Sequence, residues 1–161
     1  MAFALHAEAL WKLYESGESV IQAVQDVSLS IEQGSMVAIM GPSGCGKTTL
    51  LNVLSGIDEP NSGTVLINGE NLYGSSDDER TRVRGKHMGF IFQEFNLLPV
   101  MTALENVELP LLIQGKPANE ARKEAKKALT AVGLGDRLEH RPNELSGGQQ
   151  QRVAIARAVV H

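Results

Sequence analysis

The chain has 161 residues, 42% of them hydrophobic and 21% charged, with a formal net charge of −4. These values suit one globular domain and exclude a disordered chain, and the acidic balance argues against nucleic acid as a main partner, because backbone phosphates need a basic face. No stretch approaches the roughly 20 apolar residues of a membrane span; the N-terminus lacks the basic start and apolar core of a signal peptide, so a cytosolic chain is expected.

Residues 3–13 and 19–31 read as strands. Across Val24–Ile31 apolar and polar residues alternate, the period of a half-buried strand. Glu32-Gln33-Gly34 is a turn, and the apolar run Ser35–Met40 reads as a buried strand. The next eight residues, Gly41-Pro42-Ser43-Gly44-Cys45-Gly46-Lys47-Thr48, match G-x-x-x-x-G-K-[ST] at every fixed position. Thr49–Leu54 then suits a helix. Strand, glycine turn and helix form the context of a phosphate loop. Its backbone N–H groups turn inward, and the helix start adds about half a positive charge. Lys47 is expected on the β- and γ-phosphates of ATP, Thr48 on Mg²⁺ and Thr49 on the α-phosphate. Cys45 is the single cysteine, so no internal disulfide is open to it; it is read as a small filler in the loop in preference to a redox sensor, although a thiol near a helix N-terminus can be activated.

Asn61-Ser62-Gly63 and Asn68-Gly69 are turn signals around a strand at Thr64–Ile67. Residues 74–86 are expected to form a solvated charged helix, and Gly89–Phe92 reads as strand-like. Residues 102–133 read as helices: Thr102 with Glu105 offers a capping box, and Pro117 and Gly133 bracket a helix with Ala121, Ala125 and Leu129 on one face. Its basic residues are read as a solvated face, not a nucleic-acid patch. Leu145-Ser146-Gly147-Gly148-Gln149 opens the last helix, with Ser146 and Gln149 as a capping box. Two glycines in a first turn are poor helix formers, each costing ~1 kcal/mol against Ala. They make sense where an anion presses on bare backbone N–H groups, with the Ser146 hydroxyl on the γ-phosphate.

Together, the glycine loop and L-S-G-G-Q resemble the ATP-binding domain of ABC transporters, a resemblance that covers nearly the whole chain. The interval between Thr48 and Ser146 is too short for the coiled-coil insertions of the DNA-repair relatives. The wording F-N-L-L-P, E-N-V-E-L-P-L and L-S-G-G-Q-Q-Q-R-V-A-I-A-R-A is similar to the lipoprotein-releasing and macrolide-exporting branch. The resemblance implies an α/β P-loop NTPase core with an N-terminal antiparallel β subdomain and a helical subdomain. It divides the chain into residues 1–92 (β subdomain and phosphate-loop part), 93–145 (Q-loop and helical subdomain) and 146–161 (signature helix). It also implies an ATPase working as a head-to-tail dimer, of two copies or of paired ABC subunits, in which the signature of one subunit closes on the ATP of the other. Lys47 and Gln93 take catalytic roles; Gln93 also ligates Mg²⁺ with Thr48, and Tyr14, favoured over the nearby Trp11, stacks on adenine. Phe95-Asn96-Leu97-Leu98-Pro99, exposed, and the wider region 93–115 are expected to dock a transmembrane permease at the cytoplasmic face of the inner membrane.

In that family a further strand with an Asp and the catalytic Glu follows the signature helix, and a switch His comes later. The chain ends at His161, which falls too early to be that His. A truncated core, weak ATP–Mg²⁺ binding and little hydrolysis are therefore expected, with the family's activity restored by the following segment. The resemblance leaves open a non-transport ABC ATPase, or a non-hydrolysing ATP-binding module. His6, His87 and His140 have no spacing that suggests a metal site.

Overall fold

The structure, a computed structural model, describes residues 3–160 apart from 18 and 75; His161 therefore lies outside the described residues. The chain divides into two compact units, residues 1–87 and 88–161.

The first unit is built on a four-stranded antiparallel sheet in the order β2-β1-β3-β4. Strands β1 (Phe3–Ser16) and β2 (Ser19–Glu32) form a long hairpin, and β3 (Ser62–Ile67) pairs with the other edge of β1. The alternation read along β2 is visible in its burial: Val27, Leu29 and Ile31 are half-buried while the polar residues between them are exposed. Helix α1 (Lys47–Leu54) buries Val53 and Leu54. The two-residue strand β4 (Glu70–Asn71) returns from β3 through Asn68-Gly69, both at positive φ, as a tight hairpin turn requires. Helix α2 (Asp77–His87) buries only Val83 and carries ion pairs from Arg80 to Asp77 and from Arg82 to Glu79 along its exposed side. It is the solvated helix expected there.

The run Ser35–Met40 is not the buried strand expected from its composition. Among the described residues it joins no sheet: Met36 is fully exposed and Val37 is 57% exposed. The run Gly89–Phe92 is likewise not a strand. An extended segment becomes a strand only when another strand takes up its N–H and C=O groups, and among the described residues no such neighbour lies beside either run.

The second unit is a bundle of three helices, α3 (Ala103–Ile113), α4 (Ala118–Ala131) and α5 (Gly147–Val159), with a 3₁₀ turn at Pro142–Glu144. Its core brings together Leu104 and Val107 of α3, Ala125 and Leu129 of α4, and Val153 and Ala156 of α5. The alanine face of α4 allows close helix approach, while its Lys and Arg residues point to solvent. Thr102 caps α3 as expected: its hydroxyl accepts from Glu105 N–H at 3.2 Å, and the Glu105 carboxylate accepts from Thr102 N–H at 2.7 Å. Asn106 is the polar side chain of this core. It is 1% exposed; its Oδ1 accepts from Leu98 N–H, and its amide donates to the carbonyls of Leu98, Met101 and Thr102.

Candidate functional site

The phosphate loop lies in the first unit, between β2 and α1. Gly46 holds the turn. Its φ of 87° is left-handed, and a Cβ there would collide with the Ala23 carbonyl of β2. Any other residue would strain the backbone and push the loop off the sheet. Helix α1 starts directly after it without a side-chain cap, which leaves the N–H groups of its first turn for an acceptor from outside the helix. Lys47 Nζ folds back into the loop, donating to the carbonyls of Gly41 (3.0 Å) and Pro42 (2.7 Å). Its ammonium is thus held against the loop's own backbone. Ser43, Gly44, Cys45 and Thr48 are exposed, and Thr49 is half-buried. A cavity of about 310 Å³ opens beside the loop, lined by Ala23 and Val24 of β2 and by Cys45, Gly46, Lys47 and Leu50. The donor set of backbone N–H groups, one ammonium and two threonine hydroxyls fits a polyphosphate and its Mg²⁺, and nothing in the loop adds a competing carboxylate.

Tyr14 is in the same unit and is 37% exposed. Its hydroxyl donates to Asp58 Oδ2 at 2.6 Å. The carboxylate bond, with burial, raises the phenol above its ordinary pKa, while the Thr49 hydroxyl facing it acts in the opposite sense. Burial pushes the Asp58 carboxyl up, but the bonds from Lys12 and Tyr14 outweigh it and leave the group below its usual range. Neither Asp58 nor Lys12 stands out in the sequence; each gains its place only when β1 meets the loop after α1.

Gln93 and the signature belong to the second unit. Gln93 is exposed, in a turn closed by Phe95 N–H donating to the Phe92 carbonyl at 3.0 Å. The run after it is only partly the exposed stretch expected. Leu98 is 40% exposed, but Phe95 is half-buried and Leu97 packs against the helical core. Phe95 and Asn96 both adopt positive φ. Their carbonyls accept from the two terminal nitrogens of Arg157 at 2.7 and 2.6 Å, an anchor that sequence reasoning missed. Leu145 is buried in the helical core, and Ser146 caps α5: Gln149 Oε1 accepts from Ser146 N–H at 2.8 Å, and Ser146 Oγ accepts from Gln149 N–H at 3.4 Å. Gly147 and Gly148 are exposed, have no positive φ, and a Cβ at either would meet nothing within 4 Å. Among the described residues, no packing contact calls for glycine at these positions.

A β unit with a phosphate loop at a helix start, and a helical unit whose last helix opens on Ser-Gly-Gly-Gln, define the class of protein: the chain belongs to the ABC transporter family, whose sequence profile matches residues 24–161. It is 53% identical over 152 residues to an uncharacterized ABC transporter ATP-binding protein of Thermotoga maritima, covering 94% of this chain and 65% of that protein. It is 47% identical over its whole length to a macrolide export ATP-binding/permease protein, MacB 1, of Yersinia pestis, of which it covers 25%. The chain thus spans about two thirds of the first relative and a quarter of the second. Among solved structures, a dimeric ATP-binding cassette, MJ0796, bound to ADP and Pi in a post-hydrolysis state, superposes with a TM-score of 0.89 at 46% identity, over 97% of this chain and 69% of that one. The fold is therefore the α/β P-loop NTPase fold of these cassettes. No helix among the described residues is long and apolar enough to cross a membrane.

Proposed function

We propose that the chain binds ATP–Mg²⁺ through the loop Gly41–Thr49 and, as part of the whole protein, drives a membrane transporter. Lys47 grips the β- and γ-phosphates, Thr48 supplies a hydroxyl to Mg²⁺, Thr49 meets the α-phosphate and Tyr14 stacks on the base. Ser146, Gly147 and Gly148 of a second copy, or of a paired ABC subunit, close on the same ATP; that the similar MJ0796 cassette is dimeric supports the pairing. Gln93 senses the γ-phosphate, and the surrounding region 93–115 carries that change to a permease on the cytoplasmic side of the membrane. The relationship to macrolide export proteins favours export or release of a cargo over import. Hydrolysis is proposed for the whole protein, as phosphoryl transfer depends on positioning and charge stabilisation by the complete site.

The observation that carries this reading is the Lys47 ammonium, held at the mouth of the loop by two of the loop's own carbonyls. A phosphate chain offers stronger, charged acceptors for the same donors. Equilibrium binding of ATP–Mg²⁺ to Lys47→Ala tests it: a loss of about 100-fold or more is expected, since hydrogen bonds to charged groups in a partly desolvated site are each worth ~1.5–3 kcal/mol and the lysine makes more than one. Full retention of affinity would end the proposal.

A further inference from the structure

The Tyr14 hydroxyl is held in a cluster that phosphate binding alone does not require. Lys12 and Tyr14 stand two residues apart on β1, so both side chains leave the same face of the strand. Asp58 meets them from the loop after α1. One carboxylate oxygen accepts from Tyr14 (2.6 Å), and the other accepts from Lys12 Nζ (2.7 Å) and from Glu59 N–H (2.8 Å). The loop is fixed in turn: Asp58 N–H donates to the Asn52 carbonyl at 3.1 Å, and the Asp58 carbonyl accepts from the Tyr73 hydroxyl at 2.7 Å. Lys12 Nζ lies over the Tyr14 ring, 5.0 Å from its centroid, so a cation occupies one ring face.

We propose that Asp58 is a positioning residue for the nucleotide base: it holds the Tyr14 ring by its hydroxyl, Lys12 covers one face, and the opposite face is presented to the base of an ATP gripped by the loop. The inference rests on Tyr14 being the base platform. It adds that the platform is pre-organised by a carboxylate 44 residues away in sequence. A tyrosine free to rotate loses side-chain freedom when a base stacks on it; a pinned one has already lost it on folding. Because the phenol proton is given to Asp58, it is not available to read the base edge, and the platform contributes stacking without edge recognition.

Binding of ATP–Mg²⁺ and of base-free tripolyphosphate–Mg²⁺ to the chain and its variants tests the proposal. Tyr14→Phe keeps the ring and removes the anchor; ATP affinity should fall about three- to tenfold, the equivalent of one newly immobilised side chain. Tripolyphosphate affinity should not change, which a merely structural role for the hydroxyl would not predict. Asp58→Ala should lower ATP affinity by a similar factor, and the double variant should lose little more, because both remove the same contact. Tyr14→Ala should lose at least as much as Tyr14→Phe, since stacking goes as well. If Tyr14→Phe binds ATP as the parent does while Tyr14→Ala is weakened, the anchoring role is wrong and the platform stands. If Tyr14→Ala also binds like the parent, the platform reading itself fails. Should Asp58→Ala disturb the fold, tripolyphosphate binding will fall with it, and the Tyr14→Phe result decides alone.

Discussion

Replacing Gly147 and Gly148 with alanine should make the protein more stable and less able to associate around ATP. Both residues are in the first turn of α5, at ordinary helical φ, with open space where each Cβ would go. Alanine therefore meets no steric penalty and removes the entropic cost of glycine, roughly 0.5–1 kcal/mol per position. The pair should add about 1–2 kcal/mol, a rise in melting temperature of about 2–8 °C for a chain of this size. If an anion from a second copy must reach the bare N–H groups of this turn, two methyl groups stand in its way, and the ATP-dependent dimer should weaken. Thermal melts followed by circular dichroism read the first effect; sedimentation velocity with ATP–Mg²⁺ reads the second. A double variant that is stabilised yet dimerises on ATP as the parent does would refute the idea that these glycines serve an external ligand. A double variant that melts no higher would refute the claim that the fold itself does not need them.

Two further outcomes follow from the packing and the charges. Asn106→Ala should cost about 2–4 kcal/mol, because it strands the Leu98 N–H and the Met101 carbonyl around a buried site, and chemical denaturation should show an earlier midpoint. Glu70 takes bonds from Lys86, His87 and Arg82, in that order of effect, and is held down to about 2. A depressed carboxyl contributes stability above its unfolded value near 4.5, and that contribution fades as the pH falls from there through about 2. Glu70→Gln should flatten this part of a melting-temperature profile against pH, and added salt should do the same to the parent, since the cluster is exposed.

Local chemistry was legible wherever neighbouring residues decide the structure. The turn before α1, the capping boxes at Thr102 and Ser146 and the alanine face of α4 each depend on residues within one or two turns of helix. The two apolar runs at 35–40 and 89–92 were misread because strand formation is a property of pairs: their composition is right for a sheet, but their hydrogen-bond partners must come from elsewhere. Asn106 reads as an ordinary helix residue until Leu98 and Met101 fold over it. Asp58 and Arg157 were invisible for the same reason, since each acts on backbone or side chains more than 40 residues away.

Arg157 also sets a limit on what this fold can tolerate. Helix α5, 13 residues or about 20 Å long, has the signature at one end and this guanidinium near the other. Two successive left-handed residues, neither of them glycine, are retained there because a planar fork with two donors holds both carbonyls at once. A lysine could reach one carbonyl at a time, and the released peptide would relax toward the right-handed region. The loop beyond Gln93 owes its shape to a residue more than 60 positions downstream, so a change at either segment is felt at the other although they share no sequence neighbourhood.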